Sequence, residues 1–476
     1  MNGGGEAPGP PGAPGGASAP DAAARFRNHA QLVGHGRRAL RADALAIAAA
    51  ALAAVDPAAA LRRALRLDGE ALTVTAARGG EPQVFDLRGR RLFVLGAGKA
   101  TIGMAAVLDE LLGPRISDGA VVVKRGQAVP LAHIEVLEAA HPVPDEGSLR
   151  GGLRLLAIAQ AAAPNDLLLA LVTGGSSALA VAPAEGVSLT DKAETNRVLL
   201  TSGADIVAIN DVRKHISRIK GGRLGRLAGC EIVNFTVSDV VGDPLDYVTD
   251  LTVTDRSTFA EAREACDRLD LWARLPRAVV EHLRRADPAE ETCHRLDRVT
   301  SFVLADAGVM CAAAVAAARA LGYRARVLRL DLEGESADAG RWFAARVAGA
   351  EPGTALVAGG EATTTLAHGA AMTAGGGPSQ EGALAGALEL DASEPGARES
   401  CLLYLDSDGS DGPTDAAGAL VDDATAAALH EARVDAAAAL AAHAAGAALA
   451  TTADLVVTGP TGTNVNDLKI GLVGGR

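Results

Sequence analysis

An apolar run that ends in a glycine turn and passes into a helical stretch is the unit that most constrains this chain. Arg91–Leu95 meets Gly96-Ala97-Gly98 and the helical pattern Lys99–Leu112, while Leu167–Val172 meets Gly174-Gly175 and continues from Ser177. Further strand patterns at Gly119–Val123, Ile134–Glu138 and Glu231–Val237 alternate with helical patterns at Leu149–Ala163 and Asp205–Leu227. This alternation predicts an α/β fold with a mostly parallel sheet covered on both faces.

A chain of 476 residues exceeds what one core organises, so more than one unit is expected. Residues 1–24 are rich in Gly, Pro and Ala, lack the cationic start and apolar run of a secretory leader, and read as a disordered tail. Residues 25–255 carry the β/α pattern after two Ala-rich helices over Arg25–Leu67, and 256–298 read as a charged helical connector. Residues 299–476 carry a second α/β pattern. Its helices are expected at Ala312–Leu321 and Gly340–Ala350, and its strands at Arg326–Leu330, Ala355–Ala358, Cys401–Leu405 and, last, Asp454–Val457. The longest apolar stretches, Ala44–Val55 and Ala436–Ala450, fall short of the ~20 residues a membrane span needs, so a soluble cytoplasmic protein is expected.

Composition narrows the partners. The net charge is −13, and no basic run is interleaved with aromatics, which argues against nucleic acid. Any anionic small molecule must then be held by local amides and a few placed cations. Five dispersed cysteines without a CxxC point to buried, reduced thiols. Of 45 basic residues only six are lysines: Lys99, Lys124, Lys192, Lys214, Lys220 and Lys469. Where arginine is otherwise preferred, a retained lysine marks a place for a compact, flexible ammonium.

Five motifs carry the chemistry. Gly96-Ala97-Gly98-Lys99-Ala100 is a turn that can present amides, a helix N-terminus and the Lys99 ammonium to an anion, or serve as a plain structural turn. It completes neither a P-loop, since Phe93 and Ala100 stand at required positions, nor a dinucleotide fingerprint, which needs glycine at Thr101. Thr173-Gly174-Gly175-Ser176-Ser177 offers a close backbone approach and hydroxyl donors; as a nucleophile elbow it lacks the final glycine. On a helix Asn210, Arg213 and Lys214 share one face, where two cations and an amide suit a carboxylate and a moving phosphoryl group. The alternative is a solvated face. The aspartates of Ser238–Asp243 and Asp406–Asp415, including Asp239 and Asp408, are of the kind Mg²⁺ uses beside phosphates, or serve turns and caps. An EF-hand is excluded by Asp411 and Ala417. Thr458–Asp467, with Thr458, Gly459, Thr461, Asn464 and Asn466, reads as a polar rim rich in donors.

Taken together these segments resemble the glycerate 2-kinase family, whose bacterial members are often labelled hydroxypyruvate reductases. The likeness rests on GAGKA (96–100), HPVPDEGS (141–148), TGGSSAL (173–179), SGADIVAINDVRKHISRIKGGRL (202–224), SDVVGD (238–243), GGE (359–361), DGSDGPTDAAGALVD (408–422) and TGPTGTNVND (458–467). It runs from about residue 25 to the end in one order. The resemblance implies a larger Rossmann-like parallel-sheet domain, a smaller C-terminal MOFRL-like α/β domain, and an active site in the cleft between them. It implies transfer of the ATP γ-phosphoryl group to the 2-hydroxyl of glycerate, with Mg²⁺ as the metal and a homodimer left open. Lys99 takes the place of the family's catalytic lysine. From residue type, Arg213 and Lys214 would clamp carboxylate or phosphates, and Asp239 or Asp408 would hold Mg²⁺. Substrate or nucleotide contacts are expected from Gly96, Gly98, Gly174, Gly175, Ser176, Ser177, Asn210, Glu361, Gln380 and the Thr458–Asn466 rim.

Two departures stand out. The family's GGRNQE reads Gly376-Gly377-Pro378-Ser379-Gln380-Glu381 here, so proline replaces an arginine associated with the site. The stretch near SGPT reads Thr249-Asp250-Leu251-Thr252. Either another arginine substitutes or the acceptor is a related hydroxy acid. The competing readings are a hydroxypyruvate reductase and a catalytically silent sugar-acid binder.

Overall fold

The computed structural model describes residues 22–77, 81–238, 251–365, 375–392 and 398–475. Its first large sheet has six parallel strands. Their spatial order is Glu135–Ala139, Ile116–Lys124, Leu92–Ala97, Leu167–Val172, Glu231–Val237 and Val299–Ala305. Numbered along the chain, that order is 3-2-1-4-5-6, the doubly wound arrangement. Leu92–Ala97 and Leu167–Val172 are buried at every residue, as befits central strands covered on both faces. Thr101–Leu112 and Glu146–Ala161 are among the covering helices; the second opens on a capping box in which Asp145 accepts from Ser148 N and Ser148 Oγ from Asp145 N.

The second sheet is mixed, with strands in the order Arg324–Arg329, Thr354–Gly360, Asp467–Val473, Ser400–Asp406, Gly418–Asp422 and Leu455–Val456. Only the first pair is parallel. Asp467–Val473 lies at its centre and was not foreseen. The strand expected to be last, Asp454–Val457, is instead a two-residue edge, Leu455–Val456. A small antiparallel sheet of Leu65–Asp68, Ala71–Val74 and Gln83–Asp86 was also unforeseen.

Three further boundaries differ from the sequence reading. Val299–Ala305, expected in the second unit, pairs in parallel with Glu231–Val237, so the chain leaves the first sheet only after Ala305. The helical pattern over Asp205–Leu227 breaks into Ile206–His215 and Arg223–Leu227: Ser217 leaves the helix to bridge Pro183, and Gly221 and Gly222, at left-handed φ values of +61° and +73°, turn the chain into the second helix. The helix Arg38–Ala54, expected to serve the first unit, packs on the helix Ala307–Ala320 and on the strands Ser400–Asp406 and Asp467–Val473.

That docking is held by a buried ion triad. Arg41 donates from Nε to Asp422 Oδ2 at 2.6 Å and from Nη2 to Asp454 Oδ1 at 2.7 Å, and all three side chains are 1% exposed. Removing one member leaves uncompensated buried charge. Arg41→Met is therefore expected to cost ~3–5 kcal/mol, read as earlier unfolding in thermal or denaturant melts.

Among the described residues no single helix is long and apolar enough to cross a membrane. All five cysteines are buried and free.

Candidate active site

In a doubly wound sheet, ligands bind beyond the strand C-termini where the chain order reverses. Here that point lies between Leu92–Ala97 and Leu167–Val172, and both glycine turns leave from it. They are bonded to each other. Thr173 N donates to Ala97 O at 3.1 Å and Lys99 N to Gly174 O at 2.9 Å. Thr173 Oγ1 accepts from Ala100 N at 3.2 Å and lies 3.2 Å from Thr101 Oγ1. Gly98 has φ +144°, and a Cβ there would stand 1.9 Å from Thr173 Oγ1, so only glycine lets the turns meet.

This junction corrects one expectation. The amides of the Gly96–Ala100 turn are not offered to a ligand: Gly98 N donates to Val122 O, Lys99 N to Gly174 O and Ala100 N to Thr173. In contrast, the Gly174 and Gly175 amides donate to no described residue. The amides left open at this junction are therefore those of the second turn, and the first projects the Lys99 side chain. Gly175, at φ +86°, is the N-cap of the short helix Ser176–Leu179, with Ser176 buried and Ser177 half-buried.

His141, to which the motif reading gave no role, stands beside them. A Cβ on Gly175 would be 3.1 Å from His141 Nε2 and 3.2 Å from Lys99 Cγ. Burial, and then Lys99 and Lys124, hold the His141 ring below the usual histidine pKa. The sequence signal was its place in HPVPDEGS, but no feature of that motif separates a site histidine from a turn residue.

The second sheet supplies the opposite wall. Lys99 Nζ lies 3.7 Å from Asp408 Oδ2, the two side chains being 37% and 22% exposed. Asp408 sits on a turn after Ser400–Asp406, which the Thr458–Asp467 segment supports. Thr461 N donates to Asp408 O at 3.1 Å, Thr461 Oγ1 to Ser407 O, and Val465 N to Ser407 Oγ at 2.8 Å. Asn464 Oδ1 accepts from Asn466 N at 3.2 Å, and Gly409 lies against Thr458 and Gly459. Thr461 and Asn466 are buried, so much of the expected rim is scaffolding for Asp408. Behind it, burial and then the Asp467 and Asp408 carboxylates push the Asp406 carboxyl up to about 8.

The helix Ile206–His215 separates the two cations expected to act together. Arg213 lines a cleft of about 620 Å³ with His141, Gly175 and Ser177, and burial lowers its pKa. Lys214 is 3% exposed and ion-paired with Asp255. Its shared face with Arg213 is thus split between cleft and core. Asn210 is half-buried on the same helix. Gln380 also lies away from the cleft: it is fully buried and donates to Asp411 O at 3.3 Å and Thr414 Oγ1 at 2.8 Å. Glu361 is exposed just after Thr354–Gly360. Gly96 is packed against Leu171 O. Asp239 lies outside the described residues.

Two α/β sheets meet where a lysine, an open pair of glycine amides and a carboxylate lie together, and a cleft lined by an arginine opens beside them, an arrangement suited to anionic small molecules. The comparisons with known proteins agree. The Domain of unknown function (DUF4147) matches residues 43–284, and the MOFRL family matches 354–467. The chain is 37% identical over 445 residues to the glycerate 2-kinase of Pyrococcus horikoshii, covering 91% of this chain and 97% of that one. It is 41% identical over 397 residues to a putative hydroxypyruvate reductase of Agrobacterium vitis, covering 81% and 87%. The crystal structure of glycerate kinase from Thermotoga maritima matches with a TM-score of 0.77 at 32% identity, covering 90% of this chain and 97% of that one. The chain belongs to the glycerate 2-kinase family, enzymes that transfer a phosphoryl group to an alcohol.

Gly98→Ala must push Thr173 and the Lys99 turn apart, and is expected to lower phosphoryl transfer by about a hundredfold with the far-UV spectrum unchanged. A second prediction concerns the mount of the Arg213 helix, where His215 Nε2 meets Glu291 Oε1 at 2.7 Å. Burial would raise the Glu291 carboxyl, but hydrogen bonds from His215, Phe259 N and Thr292 N outweigh it and hold it at about 2, against an ordinary 4.5. A lowered carboxyl adds stability that is present above the unfolded pKa and is lost as pH falls toward the folded one. Denaturant melts between about pH 5 and 3 are expected to show a shallower loss for Glu291→Gln than for the parent.

Proposed function

We propose that the protein transfers the γ-phosphoryl group of ATP to the 2-hydroxyl of D-glycerate, giving 2-phosphoglycerate. The observation that carries this reading is the Lys99 ammonium at the reversal point of the first sheet, beside the open Gly174-Gly175 amides and 3.7 Å from Asp408 of the second. Phosphoryl transfer asks little covalent chemistry of a protein; positioning and neutralisation of charge dominate. Lys99 neutralises the moving phosphoryl group, and the amides of Gly174 and Gly175 hold its oxygens. Arg213, a cation lining the cleft, takes the acceptor carboxylate and orients the 2-hydroxyl toward the phosphorus.

Mg²⁺ fits this donor set. Among the described residues no group of three or more His, Cys, Asp or Glu side chains could hold a metal by itself. Mg²⁺ does not require one, because it binds through one or two carboxylates, waters and substrate phosphates. Asp408 would be the carboxylate from the second sheet, with Asp239 as its counterpart. When bound, the ion would neutralise phosphate charge. The five free thiols suit the reducing cytoplasm where such a kinase would find ATP.

The test is ADP formation from ATP and Mg²⁺, with and without D-glycerate, with the product position read by phosphorus NMR. Acceptor-dependent ADP with a 2-phosphate product is expected. Lys99→Ala is expected to lower kcat by about a thousandfold or more, with little change in thermal stability. ADP formation indifferent to D-glycerate, or an unimpaired Lys99→Ala, would overturn the reading.

A further inference from the structure

The last carbonyls of a helix have no partner inside it and must find donors elsewhere. At the end of Ile206–His215, the helix that carries Arg213, those donors are basic side chains from three other helices: Leu189–Leu200, Arg223–Leu227 and Arg277–Arg285. Lys192 Nζ donates to Arg213 O at 3.5 Å and to Ile216 O at 3.4 Å, Arg223 Nη1 to Lys214 O at 2.7 Å, and His282 Nε2 to His215 O at 2.7 Å. Cations suit this end of a helix, where the backbone dipole is negative. Arg223 is anchored independently, through two bonds to Glu290 O. Among the described residues the Lys192 ammonium has the two carbonyls of the Arg213 helix end and nothing else.

Lys192 stands on Leu189–Leu200, whose Ala193, Glu194 and Arg197 line the cleft beside Arg213. Its own side chain turns inward and is buried. The two helices already share apolar packing through Val198, Leu199, Ile209 and Val212. Apolar packing is non-directional and leaves the position of one helix along the other loosely set. Bonds to particular carbonyls fix it. Burial, and then the Arg213 and Arg223 guanidinium groups, lower the Lys192 ammonium to about 7. No carboxylate offsets that cost among the described residues, so the fold keeps a buried charge that an apolar side chain of equal length would avoid. Lysine also persists here in a chain where only six of 45 basic residues are lysines.

We propose that Lys192 is a positioning residue: its ammonium fastens the last turn of the Arg213 helix to the cleft wall and so sets where the Arg213 guanidinium meets the acceptor carboxylate. The inference rests on the role given to Arg213 in the kinase reading above. The bonded carbonyl is that of Arg213 itself, so loss of the ammonium is felt at the residue whose side chain lines the cleft. Lys99 and the Gly174-Gly175 amides stand on the turns between the first-sheet strands and keep their places. The acceptor, and not the nucleotide, is therefore the ligand that registers the change.

The experiment compares the parent with Lys192→Met, which keeps the length of the side chain and removes the charge, varying each substrate at saturating levels of the other. KM for D-glycerate is expected to rise about tenfold, with KM for ATP within about twofold and thermal unfolding unchanged or later. Lys192→Gln, whose amide can still donate to one carbonyl, is expected to fall between the two and carries the same test if Lys192→Met does not fold. A folded variant with an unchanged D-glycerate KM, or one in which both KM values rise together, overturns the proposal. Calorimetric binding of D-glycerate separates this proposal from the kinase reading. Binding weakened by Lys192→Met, in a parent that makes no acceptor-dependent ADP, would uphold the positioning role and refute the kinase reading alone; a parent that neither binds nor phosphorylates D-glycerate would refute both.

Discussion

The Arg41 guanidinium, shared between Asp422 and Asp454, is the interaction on which the two-sheet arrangement turns. Among the described residues the chain packs first on the second sheet, builds the first, and returns. The N-terminal helix must therefore be fastened to strands that lie nearly four hundred residues later in the sequence. Neighbouring bonds extend the seam: Arg27 N donates to Val457 O at 2.8 Å, Asn28 Nδ2 to Leu455 O at 2.7 Å, Val457 N to Asn28 Oδ1 at 3.1 Å, and Tyr323 OH to Asp43 Oδ2 at 2.7 Å. The Thr458–Asn466 segment starts one residue past Val457. Its mount, and through it the position of Asp408 opposite Lys99, depends on a stretch whose sequence is mostly alanine. Buried ion groups of this kind are weak evidence for stability in themselves, since desolvation offsets much of the attraction. Their consequence is that few other registers satisfy all three charges at once.

Hydrogen-bond accounting divides the labour between the two glycine turns. Each backbone N–H inside a protein needs an acceptor, and the turn after Leu92–Ala97 finds all of its own within the fold. It is thereby rigid, and Lys99 projects from a fixed base. The turn after Leu167–Val172 leaves Gly174 and Gly175 open and is the more suitable anion cradle. A search for phosphate loops by glycine spacing favours the first turn, since Gly96-Ala97-Gly98-Lys99 looks closer to a known fingerprint. The distinction depends on Thr173, whose hydroxyl sits where a ligand oxygen would otherwise meet Ala100 N.

Legibility followed burial. Leu167–Val172 and Glu231–Val237 were readable to the residue because continuous apolar runs have few other uses. Asp467–Val473 was unreadable because it carries Asp467 and Lys469 into the centre of a sheet. There Lys469 Nζ donates to Asp467 Oδ2 at 2.8 Å and to Gly360 O at 2.6 Å, and the strand reads as the tail of a polar loop. The same blindness affected the site. Lys99, Arg213 and Asp408 were singled out by residue type and motif, and the fold leaves Lys99 beside Asp408 and Arg213 on the cleft. Lys214 and Gln380 were grouped with them because helical spacing and motif membership do not say which polar side chains turn inward to Asp255 or Asp411. His141 went unassigned because its proximity to Lys99 is created by the sheet order, not by distance along the chain.

Pro378 makes sense in this frame. It opens the helix Pro378–Ala392, a position where the missing N–H is no loss and the fixed φ is helical. The Asp411 carboxylate accepts from the next two amides, Ser379 N at 3.0 Å and Gln380 N at 2.7 Å, although burial pushes that carboxyl up to about 6. A proline here strengthens the helix start and forgoes a side-chain cation on this side of the cleft. Two cations are then supplied from the first sheet instead: Lys99 at the turn and Arg213 on a helix fixed by the Asp205 cap and the His215–Glu291 pair. On the proposed reading, with Lys99 and Arg213 on the side of the first sheet and Asp408 on that of the second, an anionic acceptor would be oriented chiefly by the larger domain. On the same reading the smaller domain would contribute the acid side chain, and Lys99 and Arg213 would supply the charge that phosphoryl transfer requires without the arginine.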